Sequence, residues 1–175
     1  MNGRLYLYKP SFRELAYRQK LLAQPDTMSF NRGYHLPLDN YNNDPGCIDF
    51  TEKYWNDWYL RWNGNGTKNY YAYIMKNDTR TPIGEVALRY DAEQRAYCVN
   101  IIIEAKFRGC GYSEEAVRLL IETAFNQLGA EKLYDEFPGA RTSAEKVFKK
   151  LGFIRTSESI VELTKVQYLK TLNHG

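Results

Sequence analysis

The residues best suited to chemistry lie in the run Arg108-Gly109-Cys110-Gly111-Tyr112-Ser113. Glycines let a backbone turn sharply with its N–H groups aimed at one point, and Arg108 adds positive charge. The apolar run Tyr97–Ile103 precedes this turn and a helical pattern begins near Ser113, so a helix dipole reinforces the positive end. A turn of this kind holds an anion, most naturally a phosphate or diphosphate. Two familiar phosphate loops do not fit. The dinucleotide fingerprint needs a glycine where this chain has Glu114, and the Walker loop needs a Gly-Lys-Ser/Thr that is absent. His35 and His174 are the only histidines, and Cys47, Cys98 and Cys110 lack metal-ligand spacing, so no metal is expected.

Such a turn needs a sheet and helices to position it. Leu5 and Leu7 alternate with Tyr6 and Tyr8 in a first strand, Arg4–Lys9, that Pro10 stops. Ser11-Phe12-Arg13-Glu14 reads as a capping box opening a helix to about Ala23. Pro25–Gly46 has no sustained period and reads as a long ordered loop or short helical turns, a type of segment that tends to be functional. Asp49-Phe50-Thr51-Glu52 reads as a second capping box, followed by a helix whose Trp55, Trp58 and Trp62 form an aromatic face suited to the core. Tyr70–Met75 and Ile83–Tyr90 form an antiparallel hairpin, which Ala96–Ile103 extends as a meander. Beyond the glycine turn, Ala116, Val117, Leu120, Ile121, Ala124 and Phe125 keep helical spacing as far as the stop at Gly129. A strand (Lys132–Phe137), a helix (Thr142–Leu151) and a terminal hairpin (Phe153–Thr156, Ile160–Tyr168) complete the pattern. The sum is one domain over residues 1–175, a mixed sheet covered by helices.

Composition narrows the setting. A hydrophobic fraction of 43% argues against disorder, and a net charge of +3 is too small to imply nucleic acid. The charge is uneven. Residues 26–66 carry six acids and three bases, which leaves +6 on the rest of the chain. No apolar run approaches membrane-spanning length and the N-terminus shows no signal-peptide core, so a cytoplasmic setting is expected.

Arg108, Gly111 and the small Ser113, set between a strand and an amphipathic helix, resemble the acyl-CoA loop of the GNAT N-acetyltransferases, Arg/Gln-x-x-Gly-x-Gly/Ala. About 35 residues on, that family has a helix ending in Leu/Lys-Gly-Phe, and this chain reads Lys150-Leu151-Gly152-Phe153. The resemblance covers roughly Ile83–Phe153. Its wider layout is similar to the branch acting on ribosomal-protein N-termini, polyamines or drugs. It implies an α+β fold of GNAT type with a mostly antiparallel central sheet, acetyl-CoA as cosubstrate, and transfer of acetyl to a primary amine. The acceptor would be a small cationic amine or a peptide N-terminus, attacking directly in a ternary complex.

The same resemblance assigns residues. The N–H groups of Gly109, Cys110, Gly111, Tyr112 and Ser113 would hold the CoA diphosphate, with Arg108 adding charge or bracing the loop. Ile101, Ile102 and Ile103 fall on the strand that splays at a bulge and offers backbone groups to pantetheine and thioester, one N–H stabilising the oxyanion. Glu136 aligns with the base of some peptide N-terminal acetyltransferases, and Glu85 is the second candidate; Glu104 reads as a surface residue at a strand end. Phe148, by its place a cofactor contact, stands where the family carries a Tyr that protonates the thiolate, leaving Tyr112, Ser143 or water for that role. Arg141 replaces an Asn and would pair with a CoA phosphate. Tyr34, Asp39, Tyr41 and Asp44 are the expected acceptor contacts, in an acidic segment that favours a cation. The Phe148 departure also fits a second reading, a non-catalytic acyl-CoA-binding module. Exposed terminal strands leave room for a homodimer; neither a nucleic acid nor a membrane partner is expected.

Overall fold

The computed structural model describes residues 3–136 and 142–173. Strand β1 (Leu5–Tyr8) leads through a 3-10 turn (Phe12–Glu14) into helix α1 (Leu15–Leu22) and the short helix α2 (Pro25–Met28). A small hairpin, β2 (Tyr41–Asn42) with β3 (Cys47–Ile48), precedes helix α3 (Trp55–Asn63). Strands β4 (Tyr70–Lys76), β5 (Pro82–Asp91) and β6 (Ala96–Ile103) run as a meander into helix α4 (Tyr112–Asn126). Strand β7 (Lys132–Glu136), helix α5 (Thr142–Lys150), strands β8 (Ile154–Arg155) and β9 (Ile160–Thr164), and helix α6 (Lys165–Leu172) follow. Seven strands form one sheet in the order β1-β4-β5-β6-β7-β9-β8. All neighbours are antiparallel except β6 and β7. The expected mixed, mostly antiparallel α+β architecture is therefore present.

Strand alternation divides the sheet into two faces. Val86 and Leu88 of β5 and Val99 and Ile103 of β6 join Ala116, Val117, Leu120 and Ile121 of α4 and Phe148 of α5 in the main core. On the opposite face, Ile102 packs with Leu15, Leu21 and Leu22 of α1 and Trp55 of α3. Tyr71 and Tyr73 lie under Trp58 and Trp62. The tryptophan stripe is thus a packing face, as its spacing suggests.

The feature that matters most for function is how β7 meets β6. Parallel pairing is limited to Tyr97 with Leu133 and Cys98 with Tyr134. Beyond these pairs β6 continues to Ile103 and β7 to Glu136 without a ladder between them, so a wedge opens toward the β6–α4 turn. The expected bulge in β6 is absent. Its register with β5 is unbroken from Ala96 to Ile103, and the one shift along the meander falls between Ile74 and Met75 of β4. The divergence comes from β7 alone.

Two other expectations need correction, and a third is met in part. The terminal strand ends at Thr164, where a capping box with Gln167 starts α6; the sequence reading carried the strand on to Tyr168. The chain enters α3 through a 3-10 turn (Glu52–Tyr54) whose N-cap position is Thr51 rather than Asp49. The segment 25–46 contains α2, a 3-10 turn at Ser29–Asn31 and the β2 strand, so it is helical turns plus half a hairpin. Phe137 and His174 lie outside the described residues.

Candidate active site

Gly109 (φ 75°) and Gly111 (φ 78°) both adopt the left-handed conformation that side chains with a Cβ resist. Gly111 is the N-cap of α4. The backbone N–H groups from Gly109 through Glu114 have no acceptor among the described residues. They are the free donors of the turn and of the first turn of the helix, and they suit an anion. Arg108 is used otherwise: its guanidinium donates to the carbonyls of Asp26 (3.3 Å) and Thr27 (2.5 Å). Of the two roles the sequence left open, it braces. That brace, with Ala105 N–H donating to Thr27 Oγ1 at 3.0 Å, fastens α2 to the turn.

A cation absent from the sequence reading stands beside the loop. Arg4, just before β1, donates to the Cys110 carbonyl (2.9 Å) and to Glu115 (3.0 Å), and its guanidinium lies 4.7 Å from the Tyr112 ring centroid. No local pattern could have placed a residue 106 positions away from Cys110. Glu114 is matched by Lys150 (2.6 Å) and Arg118 (3.0 Å), and Lys150 foremost holds its carboxyl below the usual glutamate value.

The wedge presents unpaired backbone groups along a line leading away from this turn. Glu104 N–H donates to Ile83 C=O at 3.0 Å. Alternation along the β5–β6 register then turns Ile102 toward β5 and turns Val99, Ile101 and Ile103 toward β7. Since β7 pairs no further than Cys98, the N–H and C=O groups of Ile101 and Ile103 line the wedge. Ile102 is the exception among the three expected contacts; its backbone serves β5 and its side chain packs with α1 and α3. Asn100 is exposed on the acceptor-side face, and Glu136 is exposed at the far end of β7. By alternation Glu136 shares the face of Tyr134, whose buried hydroxyl donates to Asp91 at 2.8 Å. Phe148, placed among the cofactor contacts by sequence, lies in the core, 2% exposed and packed on Phe153 at 4.8 Å between ring centroids. Tyr112 is held at the glycine turn under Arg4. Arg141 falls outside the described residues.

The face covered by α1 and α3 holds two buried carboxylates. Glu85 is 4% exposed, ion-paired with Arg18 and hydrogen-bonded by the Tyr71 hydroxyl. The Arg18 guanidinium sits over the rings of Trp58 (4.5 Å), Phe50 (4.9 Å) and Tyr71 (5.5 Å). Burial opposes its charge, but Glu85 raises its pKa overall. Glu85 is therefore spent on a structural pair, contrary to its expected standing as second candidate base. Glu104, expected at the surface, is 6% exposed and accepts from Tyr17 (2.8 Å), Gln24 (3.3 Å) and Lys106 (3.2 Å). Of the expected acceptor contacts, Tyr34 and Asp39 are exposed, while the Tyr41 hydroxyl donates to the Asn31 carbonyl within its own segment. A cavity of about 350 Å³ lies alongside, lined by Pro25, Asp26, Ser29, Arg32, Asp44 and Pro45. Asp44 lines it; Tyr34, Asp39 and Tyr41 do not.

A cradle of free N–H donors at one end of a half-zipped pair of strands defines a fold that handles a long phosphorylated carrier. The model of the acetyltransferase (GNAT) domain matches residues 4–154, and the chain belongs to that family. It is an acetyl-CoA-dependent acyltransferase. Solved structures share the fold at low identity. The spermidine N-acetyltransferase of Vibrio cholerae, in complex with CoA and spermine, is 16% identical with a TM-score of 0.75, covering 96% of this chain and 99% of that one. Apo FdhC, described as a nucleotide-linked sugar GNAT, is 19% identical with a TM-score of 0.72, covering 98% and 92%. A GNAT-family acetyltransferase of Bacillus anthracis is 15% identical with a TM-score of 0.68, covering 93% and 95%. No curated protein matches the sequence.

Proposed function

We propose that the protein transfers acetyl from acetyl-CoA to a primary amine, either a small cationic amine or a peptide N-terminus, by direct attack in a ternary complex. The wedge between β6 and β7, opening onto the free donors of Gly109–Glu114, is the observation that carries this reading. Acetyl-CoA supplies an activated acyl group, and the residues of this chain bind and orient it. The turn takes the diphosphate, and the groups of Ile101 and Ile103 facing the wedge take the pantetheine. An N–H in that row stabilises negative charge developing on a carbonyl oxygen.

An alkyl ammonium must lose a proton before it attacks. Glu136 is the carboxylate available for this, because it is exposed on the strand bordering the wedge while Glu85 is committed to Arg18. With Phe148 in the core, the departing thiolate takes its proton from water; a thiol of pKa about 8.5 is a tolerable leaving group unaided. The acidic balance of residues 26–66, which α2 carries up to the loop, supports a cationic acceptor. One of the similar structures also holds spermine.

Titration with acetyl-CoA, followed by thiol release across polyamines, aminoglycosides and short peptides with free N-termini, tests the reading. Binding with thiol release for at least one amine is expected. Binding without release from any of them favours the non-catalytic module, and no binding overturns the reading of the turn. Glu136→Gln should lower kcat by about 100-fold or more while leaving the Kd for CoA unchanged; unaltered kcat would assign proton removal to water.

A further inference from the structure

The glycine turn has two arginines beside it, and they face different partners. Arg108, the one inside the motif, spends its guanidinium on the Asp26 and Thr27 carbonyls. Arg4 reaches the turn from the strand edge. Its Nη1 meets the Cys110 carbonyl, and its Nη2 lies 3.3 Å from where a Cβ on Gly111 would stand. That Nη2 donates to no described residue. We propose that Arg4, rather than Arg108, is the cation that meets the cosubstrate's diphosphate, provided that the turn is the acyl-CoA loop read above.

Charge around the turn supports the assignment. The first turn of α4 carries Glu114 and Glu115, which favour the helix dipole but repel a bound anion. Glu114 is covered by Lys150 and Arg118, and Glu115 by Arg4 alone among the side chains. Three cations against two carboxylates leave the helix start with a positive excess, and Arg4 is the member in contact with the turn. Its position is fixed from two sides. Glu115 accepts from Arg4 Nε through one oxygen and from the Leu5 N–H, at 2.9 Å, through the other, and the Tyr112 ring lies against the guanidinium. An arginine held by Nε and Nη1 keeps Nη2 as a preorganised donor, and such charge-assisted bonds to phosphate are the stronger ones.

Calorimetric titration with CoA, dephospho-CoA and pantetheine separates the diphosphate from the rest of the ligand. Arg4→Ala should weaken CoA and dephospho-CoA by about tenfold and leave pantetheine unchanged, and Arg4→Lys, whose single ammonium cannot both hold the turn and present a free donor, should restore only part of the affinity. A melting curve confirms that each variant is folded. Because Arg4→Ala also uncovers Glu115, the deciding comparison is Glu115→Gln against Arg4→Ala/Glu115→Gln. A persistent gap of about tenfold upholds the contact. Equal affinities would show that Arg4 only neutralises Glu115, and would overturn it. Equal losses for pantetheine and CoA would overturn it too, by placing the effect outside the diphosphate. A wild-type protein that binds no CoA fails the reading of the turn itself, and the proposal with it.

Discussion

Glu85 and Arg18 illustrate how a side chain's worth depends on partners far along the chain. Their side chains are 5% and 14% exposed, and aromatic rings enclose the guanidinium. Removing one member of such a pair strands the other charge in the interior. Glu85→Gln should therefore cost about 3–5 kcal/mol in denaturant unfolding while kcat/KM per folded molecule holds. Full stability with a large loss of kcat would instead make Glu85 the base. The sequence offered Glu85 as a carboxylate on a strand but could not show Arg18, 67 residues earlier, closing over it. The same limit hid the burial of Glu104 under Tyr17 and the approach of Arg4 to Cys110. Arg108 and its glycines were legible because the conformation they impose is local.

At the scale of elements, local rules carried further. The meander strands, α4 and α5 follow from apolar period and differ from expectation by a residue or two at their ends. The capping box at Ser11 is present, with Glu14 accepting from the Ser11 N–H at 2.7 Å. That bond, chiefly, holds the Glu14 carboxyl below its ordinary 4.5. A depressed pKa stabilises the fold above the ordinary value and ceases to do so as pH falls through the folded one. Glu14→Ala should lower Tm by about 2–4 °C near neutrality, and thermal melts of the two proteins should converge as pH drops below 4.5. The helix α6 was missed although Thr164-Lys165-Val166-Gln167 obeys the same capping rule. The alternation of Val161 and Leu163 drew the strand past its end, and the local start signal outweighed that continuation.

At the scale of the whole molecule, the sheet separates two tasks. One face carries α4, whose first turn is the proposed anchor for the phosphorylated end of the cosubstrate, and the other carries α1 to α3 and the acidic segment. The Arg108 brace and the Thr27–Ala105 bond tie the two across the end of β6. The sequence implied a sheet covered by helices without assigning them to faces, and the tie was not legible, since it pairs groups about 80 residues apart.

The short ladder between β6 and β7 also bears on how long the protein survives. The sheet has a seam through its middle, where the backbone donors of Ile101 and Ile103 have no strand partner among the described residues, while the ladder at Cys98 and Tyr134 closes it from Val99 back. On the proposed function, a pantetheine arm lying there would act as a surrogate strand and close it. Hydrogen exchange at the Ile101 and Ile103 amides should slow when CoA is added, while that of Ile102, bonded to β5, and of Val99, bonded to β7, changes little. Melting temperature should rise with ligand in the same titration, by the equivalent of about 2.7 kcal/mol at a hundredfold excess over Kd. Persistence of the folded chain would then follow the supply of CoA in either form, since free CoA carries the same pantetheine arm as its acetyl thioester and would protect the enzyme even while it stands idle.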